Sequence, residues 1–191
     1  MKNRSADEPA LIRQIVAGDT QRFRILADRY KDVGLSLAYS VLKNQPEAED
    51  ALQEAFIKAF RSLGSFKAEA AFSTWFYRIV LNTCYHQLEK RKVRQAESLE
   101  ERHHQQAGES SAAAPLKQQE RQQAINAVLN NLKENEALAL RLFYLGEQSI
   151  PEIAQITGWS TANVKVVLHR ARKSFEQQLH QQFGHEKLQL L

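Results

Sequence analysis

One cysteine, Cys84, in a chain of 191 residues excludes an internal disulfide framework and any Cys-x-x-Cys metal site. Glycine and proline are almost as scarce, at seven and four, so the backbone has few places to turn sharply. β-Branched residues form no alternating run of the kind a half-buried strand needs. No apolar stretch approaches the roughly 18 residues that cross a bilayer. The opening MKNRSADEPA mixes charges of both signs without an apolar run, unlike a secretory leader or an anchor. The cytoplasm is therefore the expected location, with no membrane insertion by the chain itself. Also missing are a nucleophile paired with a base, a glycine-rich phosphate loop and a metal-ligand spacing. No catalytic residue, cofactor or metal is expected. Cys84 reads as a small buried residue rather than a redox switch, and His103 and His104, in a polar stretch, read as incidental composition.

What is present is apolar residues at helical spacing nearly throughout, in a chain 43% hydrophobic and 25% charged. The expected fold is all-α, with two small helical domains joined by a flexible linker. Leu11, Ile12, Ile15 and Val16 predict a short helix stopped at Gly18, and Asp19 or Thr20 caps a longer one through about Leu42. In NQPE, Asn44 is the N-cap, Pro46 sits in the first turn and Glu47 lies at capping-box distance. That third helix runs to about Leu63. After the loop GSFKAEAA, a fourth starts at Ser73 or Thr74 and frays after Arg94. Residues 95–118 are dominated by Gln, Glu, Ser and Ala and read as a linker between modules 1–94 and 119–191. Beyond it, Ala124, Ile125, Val128, Leu129 and Leu132 make one amphipathic stripe. Ala137 through Tyr144 make another, ending at Gly146. In SIPEIAQITGWSTANVKVVLHRARKSF, Ser149 and Glu152 form a capping box around Pro151, Gly158 breaks the short helix, and Ser160 caps the next. This is the sequence shape of a helix-turn-helix.

The net charge of +4 is mild, but its distribution is uneven. Residues 1–94 hold 16 Lys/Arg against 11 Asp/Glu, residues 95–118 hold 2 against 4, and residues 119–191 hold 8 against 7. Much of the excess sits at Lys90, Arg91, Lys92 and Arg94, and again at Lys165, Arg170, Arg172 and Lys173. On the last helix, Val164, Val167, Leu168, Ala171 and Phe175 share the packing side. Lys165, His169 and Arg172 oppose them, flanked by Asn163, Val166 and Arg170. Such a face suits the major groove, where Lys, Arg and Asn hydrogen-bond base edges and amides at a helix N-terminus attract phosphate. A solvated basic helix in a bundle is the plain alternative.

The stretch AFSTWFYRIVLNTCYHQLEKRKVR raises a similar choice. Phe72, Phe76, Ile79, Val80, Thr83 and Cys84 cover a broad apolar face, while Trp75, Arg78, Asn82, Tyr85, His86 and Glu89 gather on the other. Flat rings, an amide and nearby cations suit unstacked nucleic acid. Periodicity alone fits semi-buried packing of Trp75 and Tyr85 equally well. In EAEDALQEAFIKAF, the carboxylates of Glu47, Glu49, Asp50 and Glu54 suit the helix dipole and a solvated or protein-docking face better than acid/base chemistry.

The ordered segments GDTQRFRILADRY, EAEDALQEAFIKAFRSL, SFKAEAAFSTWFYRIVLNTCYHQLEKRKVR and EIAQITGWSTANVKVVLHRARKSF span about Leu11 to Leu179. In that order they resemble the extracytoplasmic-function (group IV) sigma factors of bacterial RNA polymerase, in the sigma-70 family. The resemblance implies an alternative sigma factor that binds core polymerase and directs promoter-specific initiation. It implies that Asp50, Gln53, Glu54 and Ile57 dock on the coiled coil of the clamp subunit, and that the second module meets the polymerase flap. Phe66, Lys67, Ala71, Phe72, Trp75, Arg78, Asn82 and Tyr85 would handle an unstacked minus-ten base, with Lys90, Arg91, Lys92 and Arg94 against phosphates. Ser160, Thr161, Asn163, Lys165, Val166, His169, Arg170 and Lys173 would read the minus-thirty-five element. Val166 and His169 occupy positions that vary in the family, so no consensus transfers.

Glu97, Glu100, Glu101 and Glu109 would suit a strand threaded through the polymerase's basic channel, although a plain tether has the same composition. An anti-sigma factor joins the implied partners, because nothing in the sequence marks an intramolecular means of holding the chain inactive. Two competing readings are a conventional helix-turn-helix regulator and a helical adaptor without a nucleic-acid role. The first module lacks the ligand pocket or heptad seam that the regulator needs.

Overall fold

The computed structural model describes residues 7–97 and 116–188, with side chains described over 7–93 and 123–182. Glu100, Glu101, His103, His104 and Glu109 lie outside the described residues. Eight α-helices and no strand occur among the described residues: α1 Glu8–Val16, α2 Phe23–Leu42, α3 Gln45–Ser62, α4 Phe72–Glu97, α5 Leu116–Asn131, α6 Glu134–Leu140, α7 Ile150–Thr157 and α8 Thr161–Leu188.

Most capping signals in the sequence act where expected, but Asp19 and Thr20 do not cap the second helix: α2 starts at Phe23 after a 3-10 turn over Thr20–Arg22, and the Asp19 carboxylate accepts from Arg22 Nε at 2.6 Å instead. Gly18 adopts φ +117° just past the end of α1, a conformation open to glycine and strained for other residues. Asn44 accepts the Glu47 amide at 3.0 Å and starts α3. Ser149 and Glu152 close their capping box, the Ser149 amide donating to Glu152 Oε2 at 2.8 Å. Gly158 ends α7 with φ +75°, and the Asn163 amide donates to Ser160 Oγ at 3.2 Å at the head of α8.

Helix α4 departs from expectation. It begins at Phe72, and the Trp75 amide is satisfied by the Ala71 carbonyl at 3.1 Å. Ser73 and Thr74 are thereby released from capping. Their hydroxyls instead meet Gln148, at 3.2 and 2.9 Å.

Helices α2, α3 and α4 form a bundle around Leu37, Ala48, Ala55, Phe72, Phe76, Val80 and Cys84, all at 1% exposure or less. Close approach is possible because α2 presents Gly34 at the crossing. A Cβ there would lie 2.7 Å from Leu52 Cδ1, closer than van der Waals contact, and 3.5 Å from Phe76 Cε1, at contact. Burial pushes the Cys84 thiol up to about 12, so it stays protonated and unreactive.

Helices α5 to α8 form the second unit around Val128, Leu138, Leu142, Ile153, Val164 and Leu168. Between α6 and α7 the chain widens into a π turn over Arg141–Leu145 before Gly146. The two units do not stand apart. Helix α4 packs on α7 and α2 packs on α6, and one continuous cluster of buried side chains runs through both. Separate modules on a tether were the simpler expectation; Thr74, Gln148, Ser36 and Arg141 were not recognisable as interface residues because each is polar in sequence.

Candidate nucleic-acid interface

Helix α8 carries the clearest surface. Val164, Leu168 and Ala171 are buried at 2% or less and fix its inner side to α6 and α7. Ser160, Thr161, Asn163, Lys165, Val166, His169, Arg170 and Lys173 are all exposed. The helix therefore presents an amide, an imidazole and three cations on a rigid, solvent-facing surface, with Val166 46% exposed among them. Arg172, on the polar side by periodicity, behaves differently. Its guanidinium carbon sits 5.3 Å from the Phe143 ring centroid and 5.8 Å from that of Tyr144, and Nε donates to Tyr144 Oη at 3.0 Å. Cation–π attraction and the hydrogen bond hold it against the π turn.

The second surface is built by the loop before α4 and the first turns of that helix. Phe66, Lys67, Trp75 and Arg78 line one shallow depression with Ala68, Ala70 and Thr74. Trp75 is half-buried on its rim, its ring 5.1 Å from Phe66 and 5.5 Å from Phe72. One turn further along α4, Asn82 is exposed and lines a neighbouring depression with Lys58, Ile79, Thr83 and His86. Asn82 thus lines a different depression from Phe66, Lys67, Trp75 and Arg78, with no lining residue in common. Ala71 is half-buried at the loop's end, and Lys90 and Lys92 are exposed. Arg94 lies in α4, with its side chain outside the described residues.

Three expected contacts have other roles in this structure. Phe72 is 1% exposed, with its ring 5.9 Å from Phe66 and stacked on Phe76 at 5.9 Å, so it supports the loop from beneath and offers no surface to DNA. Tyr85 keeps 37% of its surface exposed while its phenol, partly buried and facing Glu134 of α6, is pushed up to about 12, so it sits at the edge of the junction between units. Arg91 pairs with Glu47 at 3.2 Å, which ties the end of α4 to the start of α3.

On α3, Asp50, Gln53 and Ile57 are exposed, Ile57 to 47%. Phe60, 40% exposed, continues the apolar patch and packs edge-on against Phe23 at 5.1 Å. It lies one turn from Ile57 but was not among the expected docking residues, which stopped at Ile57. Glu54 is half-buried beside Lys58 at 2.7 Å. The hydrogen bond from Lys58 holds its carboxyl below the usual range, despite partial burial. No group of three or more metal-ligating side chains occurs among the described residues.

The family model described as "Sigma-70 region 2" matches residues 26–94, and "Sigma-70, region 4" matches residues 122–175. The ECF RNA polymerase sigma factor SigW of Bacillus subtilis is 32% identical over 176 residues, covering 88% of this chain and 94% of the relative. The RNA polymerase sigma-H factor of Pseudomonas aeruginosa is 32% identical, covering 88% and 92%. The ECF RNA polymerase sigma-E factor of Escherichia coli is 29% identical over the same shares. Among solved structures, the sigma factor RpoE of Bartonella quintana with the anti-sigma factor NepR aligns with TM-score 0.65 at 23% identity, covering 82% of this chain and 97% of that one. CnrH in complex with the cytosolic domain of CnrY aligns at 0.61 and 20% identity, covering 91% and 97%.

Proposed function

The chain belongs to the extracytoplasmic-function RNA polymerase sigma factors of the sigma-70 family, and from that premise we propose how its surfaces divide the work of promoter-specific initiation. Residues 1–94 engage core polymerase and the minus-ten element, residues 95–118 connect, and residues 119–191 read the minus-thirty-five element. Asp50, Gln53, Ile57 and Phe60 dock on the clamp, with Glu54 held ionised beside them by Lys58. The loop at Phe66 and Lys67, with Trp75 and Arg78, receives a base that has left the stack, and Asn82 in its own depression hydrogen-bonds a neighbouring base edge. Unstacking costs a few kcal/mol per base, which these contacts must recover. Catalysis stays with the polymerase. The chain works in the cytoplasm, and no described helix is long and apolar enough to cross a membrane. An anti-sigma factor regulates it, in keeping with the titles of its structural neighbours.

The observation that carries the reading is the segregation of α8, whose eight recognition candidates are exposed while Val164, Leu168 and Ala171 anchor it. Run-off transcription with purified core polymerase tests the whole reading. Added protein should confer promoter-dependent initiation, whereas a dimeric regulator or an adaptor would yield no transcript from core enzyme alone.

Two substitutions refine it. Asn82→Ala should reduce promoter opening about tenfold, the scale of one lost base-edge contact, with core binding unchanged. Equal loss of core binding would sink the assignment. Lys165→Ala should relax the minus-thirty-five preference at one base pair. If it only lowers the salt dependence of binding by about one ion and leaves sequence preference intact, Lys165 is a phosphate contact.

A further inference from the structure

The two helices of the helix-turn-helix, α7 and α8, are joined by Gly158, Trp159 and Ser160 alone. Gly158 turns the chain with φ +75°, and Ser160 Oγ accepts the Asn163 amide at 3.2 Å. The Trp159 amide donates to Thr157 Oγ1 at 3.2 Å, and that hydroxyl donates to the Ile153 carbonyl at 2.7 Å. The backbone of Trp159 is thus fixed in a turn where Gly158, Ser160, Thr161 and Asn163 are all exposed.

One part of the side chain has a structural task. Trp159 precedes the N-cap Ser160, and Val164 stands at the fourth helical position, the pairing of a hydrophobic staple. Val164 is fully buried, and Trp159 packs half-buried against the same core. Leucine or isoleucine would complete such a staple, so the indole brings more than packing asks for. Its Nε1–H meets no acceptor among the described residues and is not one of the buried donors, so it opens on solvent. Tryptophan at an interface sets its apolar body on the protein and turns its N–H to a polar partner.

The DNA backbone supplies that partner. In a helix-turn-helix the first helix crosses the backbone and the second enters the major groove by its N-terminal residues, which lays the turn between them along the phosphates that border the groove. Residues 142–164 contain no lysine or arginine, so phosphates on this side of the groove must be met by neutral donors. Such contacts fix the orientation of the reader on the duplex and carry no sequence information.

We propose that Trp159 anchors α8 to the minus-thirty-five element, its indole Nε1–H donating to a phosphate oxygen at the edge of the major groove. The proposal rests on the reading of α8 as the minus-thirty-five helix and adds to it a contact without charge. Affinity gained this way releases no counterion, unlike that gained from Lys165 or Arg170.

The test uses holoenzyme assembled from core polymerase and the full-length chain, titrated with a labelled promoter duplex on which the wild-type chain directs run-off transcription. Trp159→Phe keeps a ring for the staple and removes the N–H, and Trp159→Leu keeps the staple alone. Both should bind about tenfold more weakly, the scale of one hydrogen bond to a charged acceptor. The factor should be the same for duplexes with altered minus-thirty-five bases, and the slope of affinity against salt should match the parent. Phosphates of the minus-thirty-five segment are then replaced one at a time by neutral methylphosphonates. One replacement should weaken the parent yet leave Trp159→Phe nearly unaffected, the non-additivity of a direct pair. Free Trp159→Phe and Trp159→Leu should melt close to the parent. Parental affinity in Trp159→Phe, additivity at every methylphosphonate, or a changed base preference would overturn the proposal. So would a loss of stability in both variants large enough to account for the lost affinity, which would leave the ring as packing. Parental affinity in Lys165→Ala and Arg170→Ala would remove the minus-thirty-five assignment of α8 itself, whereas weakened binding in those two beside parental binding in Trp159→Phe removes Trp159 alone.

Discussion

Ile57→Glu is expected to lower the affinity for core polymerase by about thirtyfold or more, the loss of an interface residue worth about 2 kcal/mol. Ile57 is 47% exposed on α3, next to Phe60 at 40%, and such apolar exposure on an ordered helix has no use within the free chain. A carboxylate there would have to be desolvated on docking, and the nearest helix cation left to it, the exposed Arg61 one turn on, offers only a surface ion pair worth about 0.2–0.5 kcal/mol, since Lys58 is already engaged with Glu54 at 2.7 Å. The substitution points to solvent in the free protein, so unfolding stability should stay within about 0.5 kcal/mol of the parent. Fluorescence anisotropy of labelled protein titrated with core enzyme measures the first quantity, and urea unfolding the second. A full loss of affinity matched by an equally large loss of stability would mean that Ile57 belongs to the fold. Undiminished affinity would move the docking face elsewhere. Asp50→Ala and Gln53→Ala should cost less, because both side chains are exposed and any new polar contact replaces one with water.

The elements were legible in the sequence wherever a single local interaction decides them. Asn44, Ser149 with Glu152, Gly158 and Ser160 each act within three or four residues, and each is found in the role its chemistry predicts. The face of α8 was legible for the same reason, since burial of Val164, Leu168 and Ala171 at helical spacing forces Lys165 and His169 outward. Contacts between distant segments were not. Ser73 and Thr74 carry good capping hydroxyls, yet Gln148 competes for them from 74 or 75 residues away, and no local pattern encodes that competition. Nothing local marks Arg141, inside the Ala137–Tyr144 stripe, as a buried residue, because arginine is rarely buried without a charge partner. Arg172 and Tyr85 are similar cases: periodicity places them on a polar side, while Phe143, Tyr144 and Glu134 decide where they point. The depression around Phe66 and Trp75 was legible only in part, because the aromatic spacing identifies the residues without ranking their depth.

That depth separates two neighbours with very different expected phenotypes. Phe72→Ala should cost about 3–5 kcal/mol of stability, a large share of the roughly 5–15 kcal/mol that holds an ordinary domain folded. Its ring is 1% exposed and sits among Tyr30 at 5.3 Å, Trp75 at 5.5 Å and Phe76 at 5.9 Å, so truncation leaves a cavity that rigid helices cannot close. The loop should lose its support at the same time, since Phe66 packs on Phe72 edge-on. Minus-ten recognition then fails as a consequence of unfolding. Trp75→Ala should behave in the reverse proportion, because the ring is half-buried and already shares its surface with the depression. A modest stability loss should accompany a marked loss of promoter opening. Phe72→Leu separates packing from contact, as it keeps most of the volume and should cost under about 1.5 kcal/mol. Thermal unfolding together with binding of a single-stranded minus-ten oligonucleotide to holoenzyme measures both. If Phe72→Leu melts like the parent yet loses the oligonucleotide as completely as Trp75→Ala does, then Phe72 leaves the core to touch DNA, and its place beneath the loop describes only the packed arrangement of the two units.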